Sequence, residues 1–164
     1  LDANRDARRA RAPAARAHAA RRSCEIKARG VGQDEREAGL RAILNFGHTF
    51  GHAIEAGMGY GAWLHGEGVG AGMVMAAELS RELGLVDAAF VQRLTRLIQR
   101  AGLPTRGAVI DAQDNAGRYL QLMRVDKKAE GGEIRFVVID GPGRAAVRAA
   151  PDALVRQVID RCCA

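Results

Sequence analysis

Glycine recurs at every second position in one apolar segment of the chain, "HGEGVGAGMVMAAELSRELG", and this pattern restricts the fold more than any other feature. The segment has the composition of a long helix, yet each interior glycine costs a helix about 1 kcal/mol relative to alanine. Gly66, Gly68, Gly70 and Gly72 therefore predict a helix whose backbone approaches something closely, either a ligand or a neighbouring backbone. We expect this helix to end at Gly84.

Most of the remaining chain also has helical patterns. Strong helix formers or helical spacing of apolar residues extend over residues 2–22, about 37–57, 86–104, 112–128 and 151–163. Pro13 is expected to kink or break the first of these helices. Asp87 is the expected N-cap of the helix in 86–104, and Gly102 is its expected end. Residues 25–36 mix glycine with charge and are predicted to form a loop.

A single β-hairpin is predicted near the C-terminus. The segment "EIRFVVIDGPGRAAVRA" alternates in polarity on both sides of a Gly-Pro-Gly turn, over residues 133–149. A chain of 164 residues suits one domain and is short for two. We therefore predict a mainly α fold over residues 1–164, a single helical domain with one small hairpin.

The positive charge of the chain is localised in residues 1–22. Seven arginines against two aspartates give this basic helical arm +5 of the total of +6, and the other residues, with 18 basic and 17 acidic groups, give +1. The arm lacks interleaved aromatic residues and any nucleic-acid motif, so we interpret it as a solvated helix and predict no nucleic-acid partner. No run of 18 apolar residues occurs, so no membrane association is predicted. Three cysteines give no disulfide framework, which favours a reducing, cytoplasmic location.

Three of the four histidines fall within eighteen positions of one another. His48 and His52, in "LNFGHTFGHAIE", are four residues apart and would share a helix face with Cβ atoms about 5 to 6 Å apart. Neutral imidazole is a common zinc ligand, and His65 in "LHGE" adds a third candidate. Spacing alone does not choose which two bind metal and which one acts on a substrate. Glu55 and Glu67 are either oxygen ligands or solvated charges.

A polar stripe precedes and includes the histidine pair. If the helix from residue 37 is continuous, Arg41, Asn45, His48 and His52 follow one another at spacings of four, three and four. Burying such a stripe without a partner would cost several kcal/mol, so it predicts the wall of a polar site. Its donors suit an anionic, hydroxyl-rich small molecule. Lys127, in "DKK", either clamps a phosphate or belongs to a solvated turn.

The chain resembles the C-terminal domain of the 3-dehydroquinate synthase family. The resemblance extends from about Ser23 to Ile139 and rests on four blocks in family order: "KARGVGQDEREAGLRAILNFGHTFGHAIE", "LHGEGVGAGMVMAAELSRELGL", "AGLPT" and "DKKAEGGEIRFVVI". The string "LNFGHTFGHAIE" is the most specific of them. Related sugar-phosphate cyclases, such as 2-deoxy-scyllo-inosose synthase, share it in looser form.

The resemblance implies a role for each candidate residue. His48 and His65 match the two histidine ligands of a catalytic zinc, for which cobalt can substitute. His52 matches a proton-transfer residue near the substrate phosphate, and Glu37 matches a proposed proton acceptor. Four positions match substrate-binding groups: Lys27 and Arg41 for a carboxylate, and Asn45 and Lys127 for the phosphate.

The family is a group of phosphorus-oxygen lyases of the shikimate pathway, which leads to chorismate and the aromatic amino acids. The resemblance implies that 3-deoxy-arabino-heptulosonate 7-phosphate is cyclised to 3-dehydroquinate with loss of phosphate. NAD is used transiently, by oxidation and later re-reduction of a substrate hydroxyl. The family also implies a homodimer in the intact protein.

Two parts of the family pattern are expected outside residues 1–164. These are the glutamate that is the third zinc ligand and the NAD-binding α/β domain, so no NAD-binding residue is assigned here. We therefore expect a C-terminal fragment or one half of a split enzyme, inactive alone. Two alternatives stay open: a related sugar-phosphate cyclase, and a non-catalytic metal-binding helical fragment. Lys27 with Arg41 favours a 3-dehydroquinate synthase over the related cyclase, because a substrate without a carboxylate has little use for that pair.

Overall fold

The computed structural model describes residues 13–32, 42–59, 61–126, 133–141 and 143–163. These residues form six α-helices and one β-hairpin, which confirms the mainly α prediction. The helices and strands are α1 (Pro13–Gly32), α2 (His48–Met58), α3 (His65–Glu82), α4 (Ala88–Arg100), α5 (Asn115–Asp126), β1 (Arg135–Ile139), β2 (Ala145–Ala149) and α6 (Asp152–Cys162). A short 3₁₀ helix, Ala42–Asn45, precedes α2.

The chain divides into two compact units, Leu1–Leu44 and Asn45–Ala164. In the first unit, α1 continues to Gly32, so the loop predicted from residue 25 is wrong over residues 25–32. The sequence "EIKA" that follows Cys24 consists of adequate helix formers, and Arg22 pairs with Glu25 one turn later at 2.8 Å. The helix propensity of these residues therefore carries the helix through Gly30 to Gly32. The part of the predicted arm in residues 1–12 lies outside the described residues.

The helix predicted over residues 37–57 is interrupted at Gly47. The 3₁₀ helix ends at Asn45, and Gly47 adopts a left-handed conformation with φ 84° before α2 begins at His48. A side chain at Gly47 is excluded, because a Cβ there would lie 2.6 Å from the backbone nitrogen of Met73. Asn45 and His48 therefore do not share a continuous α-helical stripe, and that prediction is wrong. Residues 37–41 lie outside the described residues.

Helices α2 and α3 pack through their glycines. A Cβ on Gly68 would lie 3.2 Å from the carbonyl oxygen of Gly51, and one on Gly72 would lie 2.2 Å from that of Gly47. The predicted close approach to this helix is therefore confirmed, and the structure identifies the partner as another backbone, although Gly66 itself faces open space. The helix ends at the predicted place: Gly84 has φ 72°, and the next N–H donates to the carbonyl of Ser80 at 2.9 Å.

Helix α3 is at the centre of the second unit, where it contacts α2, α4, α6 and β1. The core consists mainly of aliphatic and aromatic side chains, and the rings of Phe50 and Phe136 join α2 to the hairpin at a centroid distance of 5.3 Å. The buried hydroxyl of Ser80 donates to Ala76 at 2.7 Å and accepts the N–H of Ile139 at 3.0 Å. These contacts hold the hairpin against α3.

The predicted hairpin and the predicted N-cap are both confirmed. Strands β1 and β2 pair antiparallel, from Arg135 opposite Ala149 to Ile139 opposite Ala145. The side chain of Asp87 accepts the N–H of Phe90 at 2.8 Å and caps α4. Among the helices that the structure describes, none combines the length and the apolarity that a membrane span requires.

Candidate metal centre and adjoining cavity

The three predicted histidines lie together where α2 faces the start of α3. The ring centroids are 5.5 Å apart for His48 and His52, 5.4 Å for His48 and His65, and 6.0 Å for His52 and His65. The first distance follows from spacing along one helix. The other two follow from the glycine contacts between α2 and α3, which bring the first residue of α3 beside the rings of α2.

His48 is the most enclosed of the three rings. Its Nδ1 is buried and has no hydrogen-bond partner of normal geometry among the described residues. Burial lowers the pKa of His48, and the nearby His52 and His65 lower it further, while the backbone of Phe46 and Asn45 opposes the shift. The imidazole is thus kept in the neutral form, which is the form that binds a metal ion.

Glu55 contacts His65 across the two helices. Both carboxylate oxygens lie within hydrogen-bond distance of Nδ1 of His65, at 3.1 and 3.3 Å. Glu67, on α3 itself, has a different role, because its carboxylate accepts the N–H of Leu64 at 2.9 Å and caps the helix. The sequence did not distinguish the roles of these two glutamates, whereas the structure does: Glu55 contacts His65, and Glu67 caps α3.

The donor set fits a divalent metal ion. One ligand atom each from His52, Glu55 and His65 lies within 4.8 Å of the others. The unpartnered buried nitrogen of His48 lies beside this group, and its ring is within 5.5 Å of both other imidazoles. Imidazole and carboxylate together suit zinc and cobalt, which accept nitrogen and oxygen ligands in tetrahedral sites.

A cavity of about 360 Å³ opens beside the histidines, between α2 and α5. His52 and Glu55 form part of its polar wall, and Leu122 and Met123 form its apolar wall. Thr49 also lines it, and the threonine hydroxyl donates to the carbonyl of Arg135 at 3.2 Å. A small molecule with both polar and apolar faces could therefore lie next to His52.

The structure describes only part of the predicted substrate site. Lys27 is exposed on α1 in the first unit, and Asn45 is exposed at the end of the 3₁₀ helix. Glu37, Arg41 and Lys127 lie outside the described residues, so their predicted roles remain predictions.

Sequence reasoning left the role of Glu55 open, although a local signal was present. Glu55 is three residues after His52 and therefore shares its helix face. The contact with His65 required the packing of α2 against α3, which spacing along a single helix does not give. A glycine pattern such as that of Gly51 and Gly68 is the signal that could have predicted this packing.

A family model described as the C-terminal domain of 3-dehydroquinate synthase matches residues 1–129. The chain is 59% identical over 158 residues to the 3-dehydroquinate synthases of Bordetella pertussis and Bordetella parapertussis. Each match covers 96% of this chain and 43% of the relative. The chain thus spans less than half the length of these curated relatives.

Two solved structures share the fold at low sequence identity. A 2-epi-5-epi-valiolone synthase from Streptomyces hygroscopicus, with NAD+ and Zn2+ bound, matches with a TM-score of 0.76 and 20% identity, covering 92% of this chain and 41% of its own. A 2-deoxy-scyllo-inosose synthase, complexed with carbaglucose-6-phosphate, NAD+ and Co2+, matches with a TM-score of 0.61 and 22% identity, covering 76% and 35%. At these sequence identities, the two comparisons show a shared fold.

Proposed function

The chain belongs to the 3-dehydroquinate synthase C-terminal family, and from this membership we propose that it is the metal- and substrate-binding part of a 3-dehydroquinate synthase. The whole enzyme would convert 3-deoxy-arabino-heptulosonate 7-phosphate to 3-dehydroquinate and phosphate, a step of the shikimate pathway. The observation that carries the proposal is the convergence of His48, His52 and His65, with ring centroids 5.4 to 6.0 Å apart, in a chain 59% identical to synthases of this name.

His48 and His65 would hold the zinc or cobalt ion. Bound metal would supply Lewis-acid polarisation of the substrate hydroxyls, and bound NAD would supply the transient oxidation that makes a neighbouring proton acidic. The family resemblance assigns NAD mainly to a domain outside residues 1–164. Support for the metal assignment comes from the lowered pKa of His48, which keeps that ring neutral, and from its unpartnered buried Nδ1.

His52 would act in proton transfer, accepting and donating a proton through a nitrogen of its imidazole ring. Support comes from its ring, which lies 5.5 Å from that of His48 and 6.0 Å from that of His65 and also lines the cavity beside α5, where a bound substrate would reach it. Glu37 would accept a second proton. A substrate lying in this cavity would be held by one polar wall and one apolar wall.

Four residues would orient the substrate by its two anionic ends. Asn45 and Lys127 would bind the phosphate, and Lys27 and Arg41 would bind the carboxylate. Holding both ends fixes the carbon that loses its proton relative to the leaving phosphate. A homodimer of the whole protein is part of the same proposal.

A chimera tests the proposal directly. The matching segment of the Bordetella pertussis synthase would be replaced by residues 1–164, and phosphate release from the heptulosonate would be measured with NAD and zinc. We expect release that stops on chelation and returns with zinc. We also expect His48→Ala to abolish it, whereas His18→Ala, on the exposed histidine of α1, retains it.

Two results would contradict the proposal. A folded, zinc-loaded chimera that releases no phosphate, while the parent synthase does, would exclude this activity. Turnover of glucose 6-phosphate in place of the heptulosonate would instead identify a related sugar-phosphate cyclase.

A further inference from the structure

We propose that Glu55 is a positioning residue for His65: its carboxylate accepts the Nδ1–H of that imidazole and thereby fixes Nε2 as the nitrogen that binds the metal. The inference deepens the proposed function, since it rests on His65 being a ligand. It assigns a task to a residue that neither spacing nor the family resemblance explained.

The hydrogen-bond geometry favours one tautomer of the neutral ring. Both oxygens of Glu55 are close to the same ring nitrogen of His65, at 3.1 and 3.3 Å. An ionised carboxylate can only accept hydrogen bonds, so Nδ1 must carry the proton. In the neutral imidazole the lone pair is then on Nε2. A carboxylate that holds the second nitrogen of a metal-binding histidine is a common way to orient the ring and to raise its basicity.

The packing of α2 against α3 holds Glu55 in place. Its side chain is 19% exposed, whereas that of His65 is 59% exposed, so the carboxylate is the more fixed partner. The stem of Glu55 passes beside Gly68, where an added Cβ would lie 3.4 Å from Cγ of the glutamate and 3.2 Å from the carbonyl oxygen of Gly51. The close helix contact therefore also forms the slot that the glutamate occupies.

Direct ligation by Glu55 is the competing role, because one of its oxygens lies within 4.8 Å of donor atoms of His52 and His65. A ligand role would take the carboxylate away from Nδ1 and leave that N–H without the acceptor it now has. Positioning is favoured because both oxygens are already within hydrogen-bond distance of Nδ1. Glu67 does not compete, since it caps α3.

The first measurement reads the tautomer without any metal. Long-range ¹H–¹⁵N NMR spectra of the metal-free 164-residue chain, at about pH 8 where histidine is neutral, distinguish a protonated Nδ1 from a protonated Nε2. We expect Nδ1–H at His65 in the wild type and in Glu55→Gln, whose amide oxygen still accepts. Glu55→Ala should shift the population towards Nε2–H. A wild-type His65 protonated at Nε2, or a tautomer unchanged in Glu55→Ala, would overturn the proposal.

The second measurement is zinc affinity, by competition with a chelating dye. Glu55→Ala should lose about 10- to 100-fold, the usual cost of removing a partner of a metal ligand. Glu55→Gln should stay within a few-fold of wild type, and so should the matched control Glu67→Gln, which removes the same charge two residues from His65. If Glu55→Gln is as weak as Glu55→Ala, the carboxylate binds the metal directly and the positioning role is wrong.

The two measurements separate this inference from the proposed function. Absence of phosphate release by the chimera, with His65 protonated at Nδ1 and the expected order of zinc affinities, would count against the reaction and not against Glu55. Circular dichroism of each variant confirms that it folds before either comparison is made.

Discussion

At the scale of single residues, burial decides which side chains are chemically available. His48 is more enclosed than His52 and His65, and the resulting fall in its pKa favours the neutral ring that a metal requires. The same effect acts on two thiols of α6 and the residue after it. Burial raises the pKa of Cys162 to about 12, and it also raises the pKa of Cys163. Cys24, in contrast, is exposed on α1.

These differences predict selective thiol reactivity. In the native chain at about pH 8, an aromatic disulfide reagent should modify Cys24 rapidly and the C-terminal pair slowly, because a buried thiol with a raised pKa supplies little thiolate. All three cysteines should react in denaturant. Stopped-flow absorbance measures both rates, and Cys24→Ser should remove the fast phase alone. A fast phase that survives in Cys24→Ser would contradict the burial of the pair.

Residue-scale prediction from the sequence succeeded where local spacing was enough. His48 and His52 share a helix face, as their spacing predicted. The place of His65 beside them was expected from the family resemblance and not from spacing, because it depends on the packing of α2 against α3. The stripe through Asn45 was wrong, because the left-handed backbone of Gly47 interrupts it. Gly47 packs against Met73 so closely that no side chain fits there, and this contact with a residue distant in sequence could not be inferred from the neighbouring residues.

At the scale of helices and strands, the site depends on the contact between α2 and α3. The spacing of the glycines predicted that something would approach the backbone of α3 closely, but it did not say whether this would be a ligand or another backbone. The structure identifies the partner as the segment that carries His48 and His52. Helix ends were predictable because capping chemistry is local, as at Asp87 and Gly84. The loop predicted over residues 25–36 was wrong over 25–32, because the glycines there are preceded by a helix long enough to continue through them.

The helix contact gives a matched pair of glycine substitutions. Gly72→Ala places a Cβ 2.2 Å from the carbonyl oxygen of Gly47, so the helices must separate, and we expect a loss of roughly 1–3 kcal/mol in the free energy of unfolding. Gly66→Ala meets open space, so it should be neutral or stabilise by up to about 1 kcal/mol. Urea unfolding followed by circular dichroism measures both. Equal effects of the two substitutions would contradict the packing described.

At the scale of the whole molecule, the chain spans 43% of the length of its Bordetella relatives. The histidine cluster lies within the second unit, from His48 to His65. The proposed reaction also needs an NAD site and a third, charged metal ligand, which the family resemblance assigns outside residues 1–164. The sequence could predict this division only by resemblance, since spacing within the chain carries no signal for groups outside it.

The isolated chain should therefore bind zinc more weakly than the chimera and should release no phosphate. Two histidine ligands without the charged third ligand lose affinity, because ligands of one site act together. Dye competition on both proteins measures the difference, and we expect the chimera to bind at least about tenfold more tightly. Equal affinities would show that residues 1–164 hold the complete ligand set, with Glu55 as the candidate for the third ligand.

The central claim is that His48 and His65 share one metal ion, and anomalous X-ray scattering at the zinc edge tests it most directly. In zinc-soaked crystals of the chimera, we predict a single strong peak about 2.0–2.1 Å from one nitrogen of each of these two rings. In the same maps, His52 should lie beside the ion without binding it. A peak bound by His52 and Glu55 in place of His48, or no peak between α2 and α3, would contradict the account.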